Sequence, residues 1–281
     1  MVLESLFNPF VVKKKPWEMF FAGFLYSSIG LLLSILVFQD MAGLLMVFFT
    51  VIAATPIVYN TIKNEEELDL NLSGEITLLK EHSKVLYFLL FFFLGSVASY
   101  TLAYVFLPAT LVSIVFASQT VAIGDINRAV TTGSLTQFGI FKGIFFNNMR
   151  VLFFCLIFSF LYGIGALFIL TWNASVVSAA IGNLIKTKIS VISAGLGFET
   201  IASYFSITAM SLLRYLSHGI IEIAAYFIAG LAGGIISIAV IKHHLEDERV
   251  LYDALDLIFI SIAVLFVSCV FEVYITPIFF Y

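Results

Sequence analysis

Long apolar runs alternate with short polar breaks along most of the chain. A transmembrane helix needs ~20 consecutive apolar residues, and six runs come close to that length. They lie near residues 18–38, 41–62, 85–107, 150–171, 215–241 and 254–280. The pattern predicts an all-α, polytopic transmembrane helical bundle of about 6–9 membrane helices, including short or broken ones.

Two further apolar stretches are irregular. Residues 109–123 are short and follow Pro108, so they form either a tilted span or a re-entrant half-helix. Residues 172–213 hold about two short helices, with a break near Lys186 and Lys188. The chain makes about nine crossings if every stretch crosses, and fewer if either stretch re-enters.

The start of the second irregular stretch carries a specific prediction. Residues 172–187 are too short to cross a ~30 Å hydrocarbon core comfortably. We predict that they form a short helix that dips into the membrane, with Asn173 capping or bracing the break before it. Trp172 is typical of an anchor at the membrane interface.

The polar segments are too small to form a second domain. Residues 63–84 predict a short cytoplasmic loop, in which the part from Glu75 favours a short interfacial helix. Residues 125–149 mix charged and aromatic positions, which predicts an amphipathic stretch along the membrane surface. Since the sequence has no internal repeat and no low-complexity linker, we expect residues 1–281 to form one multi-spanning membrane domain.

Composition strengthens the membrane assignment. The chain is 61% hydrophobic and 11% charged, whereas soluble domains are roughly 45–50% apolar and about 25% charged. The expected partners are the lipid bilayer and either other membrane proteins or a second copy of the chain, because no basic patch favours nucleic acid. Cys155 and Cys269 lie inside apolar runs, so we expect buried thiols and neither a disulfide, a metal site nor a cofactor.

The lysines predict the orientation. Lys13, Lys14 and Lys15 precede the first apolar run, which places the N-terminus in the cytoplasm of a multi-pass cell-membrane protein. The run lacks a small-residue cleavage site, so it is interpreted as a retained span and not as a signal peptide.

A histidine and a glutamate lie one turn apart at the start of the run 215–241. His218 and Glu222 share a helix face with Tyr226, which continues into a stripe of small residues. Such stripes let helices approach closely in lipid. The predicted packing residues are Ala225, Ala229, Gly230, Gly233 and Gly234. The alternative is a polar helix entrance, with Ser217 as N-cap and Glu222 favoured by the helix dipole.

Further polar residues interrupt the apolar runs. Asn147 and Asn148 are predicted at the mouth of the span 150–171, where they can serve as caps, and Asn173 falls between two runs. Glu272 lies well inside the last run, so it should be neutral or paired, and Arg214 and His218 are the basic groups expected near its depth. We predict one intramembrane polar cluster, formed by His218, Glu222, Glu272, Arg214, Asn147, Asn148 and Asn173. In this cluster, Glu222 should have a hydrogen-bond partner outside its own helix.

Three stretches carry a family resemblance: FFNNMRV, GIGALFILTWNASVVSAAIG and SHGIIEIAAYFIAGLAGG. In order, they resemble the signatures of the stage II sporulation protein M family, best over residues 141–241. Ser217 stands where that family usually has proline, and Ala174 stands where it usually has glycine. The matching positions are Asn147, Asn148, Asn173, Gly182, His218, Gly219, Glu222 and Gly230.

The resemblance implies a multi-spanning membrane protein without assigned catalysis, whose sporulation members are scaffolds for a cell-wall-remodelling complex. A non-enzymatic scaffold or complex subunit is therefore the first hypothesis for function. The broken apolar runs and the intramembrane Glu, His and Asn residues favour the alternative, a transporter, channel or lipid-handling permease. An intramembrane hydrolase that uses His218 and Glu222 is the weakest hypothesis, because the only Glu-Glu run, Glu65 to Glu67, lies in a polar loop.

Overall fold

Helices account for nearly all of the structure. The computed structural model describes residues 15–71, 75–124, 136–162, 166–190, 198–242 and 248–280, and their side chains except 62–81, 161–162, 190, 198–201, 214, 242 and 280. The described part is 96% helical and contains no strand, which confirms the all-α prediction. The helices are α1 (Glu18–Val37), α2 (Ala42–Asn71), α3 (Glu75–Phe106), α4 (Ala109–Val115), α5 (Gln137–Tyr162), α6 (Ala166–Ser190), α7 (Phe198–Lys242), α8 (Glu248–Val270) and α9 (Thr276–Phe280).

Seven helical segments in the described ranges are long and apolar enough to cross a membrane. They are Glu18–Val37, Gln39–Thr61, His82–Phe106, Gln137–Phe160, Ala166–Ile189, Ala202–Ile241 and Glu248–Phe279. Their number falls within the predicted range. Because α7 has 45 residues, it is about 67 Å long at 1.5 Å per residue, so it extends well beyond a ~30 Å hydrocarbon core or tilts strongly within it.

Helix α5 corrects the predicted span 150–171. One continuous helix runs from Gln137 to Tyr162, so residues 137–149 are its first half and not a separate interfacial segment. Residues 125–135 of that predicted stretch lie outside the described residues. The boundary was misplaced because Asn148 was interpreted as a mark of the membrane edge, whereas its side chain is buried inside the bundle.

Helix α6 corrects the predicted break near Lys186 and Lys188. The helix continues without interruption from Ala166 to Ser190, and the two lysines lie in its last turns. Two cations at the end of an apolar helix can reach the interface along their long side chains, so they do not require a break. The short helix predicted over 172–187 is therefore wrong, and α7 begins only at Phe198.

The predicted loop 63–84 is also mostly helical. Helix α2 extends to Asn71 and α3 begins at Glu75, so only residues 72–74 of this polar segment lie outside the described residues. The start at Glu75 agrees with the predicted helix, which here continues directly into the third span.

Residues 109–124 form two short helical segments instead of a span. Helix α4 ends at Val115, and a second segment covers 117–124 after a turn at Phe116. Gln119 is fully buried, and its amide donates to the Gly43 carbonyl of α2 (2.9 Å) and to the Ser175 hydroxyl of α6 (3.1 Å). These bonds attach the segment to α2 and α6, although the buried Oε1 of Gln119 has no hydrogen-bond partner within the described residues.

Helix α7 is the central element. It packs against α5, α6 and α8, and also contacts α2 and α3. Its residues from Ile223 to Ala239 are almost all buried, and this stretch contributes Tyr226, Leu231 and Ile235 to the core. A helix that is apolar on every side is suited to this position, because it meets neighbours instead of lipid over most of its circumference.

Helices α1 and α3 approach each other at two glycines. A Cβ atom at Gly23 would overlap the backbone carbonyl of Phe92, and one at Gly95 would overlap that of Phe20. Each glycine thus admits the other helix's backbone, which is the close approach that small residues provide in membranes.

Candidate functional site

Helix α7 presents a polar face at His218, Glu222 and Tyr226. The Tyr226 hydroxyl donates a 2.7 Å hydrogen bond to Glu222 Oε1, and the Tyr226 side chain is buried. The sequence predicted a partner for Glu222 on another helix, and this was wrong: Tyr226 lies one turn further along the same face. Glu222 is half-buried, with its carboxylate directed to the packed side of α7.

The last membrane helix places its own polar residues opposite His218. The Ser268 hydroxyl donates to the His218 carbonyl oxygen at 3.0 Å, and Thr276 Oγ1 lies 3.4 Å from His218 Nδ1. Glu272 lies one turn from each of these two α8–α9 residues, on a π-helical turn that spans Phe271–Ile275. π turns within α-helices occur frequently at functional sites.

The two carboxylates lie beside the residues that join α7 to the last helix. Glu222 lies one turn after His218, and Glu272 lies between Ser268 and Thr276, the two residues that contact His218. Glu272 is therefore on the side of the bundle that also holds His218, where the sequence predicted it. The side chain of Arg214, the other predicted neighbour, lies outside the described residues.

Helix α5 closes the polar cluster from a third side. The Asn148 side-chain amide points to Cys269 Sγ at 4.0 Å, and the Asn147 side-chain amide donates to Asn148 Oδ1 at 3.4 Å. Asn148 is buried, whereas Asn147 is exposed at the outer edge. The predicted capping role at a helix entrance does not apply, because Asn148 lies at the centre of the 24-residue segment Gln137–Phe160.

The structure thus brings together most of the predicted cluster. His218, Glu222, Glu272 and Asn148 meet between α5, α7 and α8, and Asn147 joins them through Asn148. Three further neighbours of these residues were not predicted from the sequence, namely Ser268, Cys269 and Thr276. Spacing held part of the signal, because Ser268, Glu272 and Thr276 follow one another at steps of four and so share a helix face.

Asn173 does not belong to this cluster. It lies within α6, where its amide donates to the Ile169 carbonyl one turn earlier (2.9 Å). This bond satisfies the side chain within its own helix, so the helix needs neither a break nor a cap at this position.

The predicted packing stripe of α7 is buried throughout. A Cβ atom at Gly230 would come within 3.0 Å of the Ala166 Cβ, and one at Gly233 would press against the Leu156 carbonyl of α5. Gly182, a position shared with the family signatures, meets the ring of Tyr104 in the same way, while Gly219 faces open space. The stripe residues are Ala225, Ala229, Gly230, Gly233 and Gly234.

A second polar contact joins helices that are far apart in sequence. His82 Nε2 lies 2.9 Å from Asp253 Oδ2, and the His82 side chain is only 1% exposed. The pair links α3 to α8 at the opposite end of α8 from the polar cluster. Sequence analysis missed it because nothing in a single sequence relates two positions 171 residues apart.

The outward face of α5 carries a cation. Arg150 is exposed, lies near the centre of the apolar segment Gln137–Phe160, and has no hydrogen-bond or ion-pair partner within the described ranges. Asn147 lies on the same face, as do exposed Phe146, Phe153 and Phe154. A Cβ atom at Gly143 on this face would meet no atom within 4 Å.

The side chains of the cluster can exchange protons or contact small cations. Two carboxylates, an imidazole and hydroxyl groups can accept, donate or share protons at membrane depth. The described residues include no group of three or more His, Cys, Asp or Glu side chains that could hold a metal ion.

A comparison with known protein families found a match for the chain. The family model described as stage II sporulation protein M matches residues 85–277, which covers α3 from its fourth turn to α9 and confirms the resemblance found in the sequence. A search of curated proteins and a search of solved structures found no match. The polar cluster and the outward face of α5 both lie inside the matched region, whereas α1 and α2 lie outside it.

Proposed function

The chain belongs to the stage II sporulation protein M family, and from this premise we propose that it is a non-enzymatic subunit of a membrane complex, with its N-terminus in the cytoplasm. The proposal rests on one observation, the exposed Arg150 at the centre of a candidate membrane helix. An arginine at the centre of a span costs roughly 2.5–3.5 kcal/mol on insertion scales. A partner that supplies a carboxylate would offset this cost.

The outward face of α5 has the features of a helix-docking surface. Gly143 gives room for close approach, Asn147 offers an amide, and the exposed phenylalanines give apolar contact area around the cation. We define this docking face as Gly143, Phe146, Asn147, Arg150, Phe153 and Phe154. It has the size and spacing of one side of a helix pair.

The partner that fits this face is a different membrane protein. In a symmetric dimer about an axis along the membrane normal, identical residues lie at equal depth, so Arg150 of one copy would approach Arg150 of the other. Like charges in a low-dielectric interface repel strongly. The fitting partner is therefore a transmembrane helix of another protein that carries an Asp or Glu near mid-membrane depth.

Site-specific crosslinking in native membranes tests this proposal. Photoreactive residues at 146 and 154 should crosslink to a protein, and a photoreactive residue at the exposed α8 position Phe259 should not. Arg150→Leu should reduce the yield at least tenfold, whereas Arg150→Lys, which keeps the charge, should retain most of it. The crosslinked peptide of the partner should contain a carboxylate within one turn of the crosslink.

Two outcomes would overturn the assignment. One is crosslinking at 146 and 154 to lipid alone, which would show that Arg150 extends to phosphate head groups. The other is a crosslinked dimer of this chain that Arg150→Leu leaves unchanged.

The polar cluster favours a second candidate function, the conduction of protons or small cations. Glu222 lies one turn after His218, which contacts Ser268 and Thr276 on either side of Glu272, and Asn148 at the centre of the α5 span points to the neighbouring Cys269. If the cluster conducts protons, proteoliposomes with an entrapped pH indicator should show a proton flux. Glu272→Gln should abolish this flux, while the thermal stability of the variant stays near that of the parent. A structural cluster predicts no flux in either protein, and it predicts that Glu272→Leu lowers the melting temperature more than Glu272→Gln.

A further inference from the structure

A large cavity among the described residues lies away from the polar cluster. It measures about 300 Å³ and opens between α3, α6, α7 and the segment 117–124. A second void, beside Gly230 in the core, measures only about 20 Å³ and is almost entirely apolar. One water needs ~10–15 Å³ on this scale, so the core void has room for about one water, whereas the large cavity reaches the lower end of ligand-pocket volumes.

The lining of the large cavity is amphipathic. Ala179, Ala180 and Leu184 of α6 and Ile123 of the re-entrant segment form apolar walls. Polar groups come from four helical segments, namely Tyr104, Thr120, Asn183, Thr187 and Tyr215. A lining with both characters matches a ligand that has an apolar chain and a polar head.

Two groups at this cavity have unused hydrogen-bonding capacity. Tyr104 is only 8% exposed, and its hydroxyl has no hydrogen bond within the part of the chain that the structure describes. Lys186 Nζ lies 5.5 Å from the centre of the Tyr104 ring and makes one long bond, 3.4 Å, to the Leu107 carbonyl. An ammonium group has three donors, so at least two remain for a ligand.

The cavity lies at the depth of lipid head groups. Tyr104 is near the end of the span His82–Phe106, and Thr187 is near the end of the span Ala166–Ile189. Tyrosines and lysines at span ends are typical of the membrane interface. A phosphate at Lys186 would therefore lie at its normal depth, with an acyl chain directed along Ala180 and Leu184.

We infer that this cavity, bounded by Tyr104, Asn183 and Tyr215 and flanked by Lys186, binds an anionic phospholipid. Lys186 and the Tyr104 hydroxyl hold the phosphate, and the α6 wall holds the first part of an acyl chain. The site is independent of the α5 docking face, because its lining comes from other helices.

Lipid retention by the purified full-length protein tests this inference. The protein is washed in detergent, incubated with phosphatidylglycerol, phosphatidylcholine or inorganic phosphate, and measured by native mass spectrometry. One phosphatidylglycerol per chain should be retained. Lys186→Gln, which removes the cation, and Ala180→Leu, which fills the cavity, should each weaken retention about tenfold.

Lys188→Gln is the matched control, because Lys188 is exposed and lies two residues away on another helix face. It should retain phosphatidylglycerol like the parent protein. Three results would each overturn the inference. The first is equal retention of phosphatidylglycerol by Lys186→Gln and Lys188→Gln. The others are retention of phosphatidylcholine equal to that of phosphatidylglycerol, and binding of inorganic phosphate alone to the same extent. Circular-dichroism melting without lipid identifies a variant that misfolds. If Lys186→Gln or Ala180→Leu misfolds, the lipid retention of the other variant tests the inference.

Discussion

The contact between α1 and α3 differs in chemistry from the contact among α5, α7 and α8. In the first, Gly23 and Gly95 bring backbones together, and hydroxyl groups bond one another, as Ser28 does with Ser99 at 2.9 Å. In the second, small residues again let the helices approach closely, and two carboxylates and an imidazole lie beside them. Hydroxyl pairs are neutral and inexpensive to bury, whereas charges in a membrane are costly and mark function.

The family match covers the two contacts unequally. The matched residues 85–277 contain the whole charged contact but only the α3 side of the neutral one. We therefore expect changes in the neutral contact to affect folding alone, and changes in the charged contact to separate folding from activity.

The largest effect is expected from a methyl group in the neutral contact. Gly95→Ala should lower the free energy of unfolding by about 3 kcal/mol, the upper part of the overpacking range, because the new Cβ meets the backbone of Phe20 and not a movable side chain. Titration with a denaturing detergent in mixed micelles measures it. Gly143→Ala, where the space is open, should raise stability by about 0.5–1 kcal/mol. Equal effects of the two variants would contradict the backbone contact.

The link between the two regions should come next in size. Asp253→Ala should cost about 2 kcal/mol in the same titration, because it removes the carboxylate that lies 2.9 Å from the buried His82 ring. Asp256→Ala is the control, because Asp256 is exposed on the same helix, and it should stay within about 0.5 kcal/mol of the parent. The double variant of His82 and Asp253 should cost less than the sum of the single ones. Simple additivity would show that the pair does not interact.

Two buried tyrosines provide a direct comparison of the regions. Tyr226→Phe removes the hydroxyl that bonds Glu222 and should cost about 1.5 kcal/mol, because it leaves the Glu222 carboxyl oxygen on the packed side of α7 without this donor. Tyr100→Phe should cost only about 0.5 kcal/mol, because its partner Thr50 also donates to the Met46 carbonyl and so stays satisfied. Melting of both variants in one detergent tests this order. A larger loss for Tyr100→Phe would reverse the comparison.

The smallest effect is expected at an asparagine outside both contacts. Asn173→Leu should change the free energy of unfolding by no more than about 0.5 kcal/mol, because its amide bonds only its own helix. Asn148→Leu, which removes a buried amide from the cluster, should cost at least twice as much. If Asn173→Leu is the more damaging change, Asn173 has a role that its hydrogen bond does not reveal.

Sequence predicted the membrane bundle, the family and five members of the cluster because each leaves a local signal. Hydropathy locates spans, and steps of four place His218, Glu222 and Tyr226 on one face. The same hydropathy misplaced α5, because an average along the chain cannot tell that Asn148 points inward and Arg150 outward. The His82–Asp253 pair and the continuation of α7 over 45 residues depend on three-dimensional packing, which no local pattern encodes.

The π turn at Phe271–Ile275 gives the last helix a tolerance to changes in length. A π turn holds one residue more per hydrogen-bonded ring than an α turn does, so loss of one residue there lets the chain wind as a plain α-helix. Residues after the turn, Thr276 among them, would then keep their direction. A deletion anywhere in α8 before Val270 would instead rotate everything after it by about 100°. Single-residue deletions should therefore be accepted in this turn and rejected in the rest of the span.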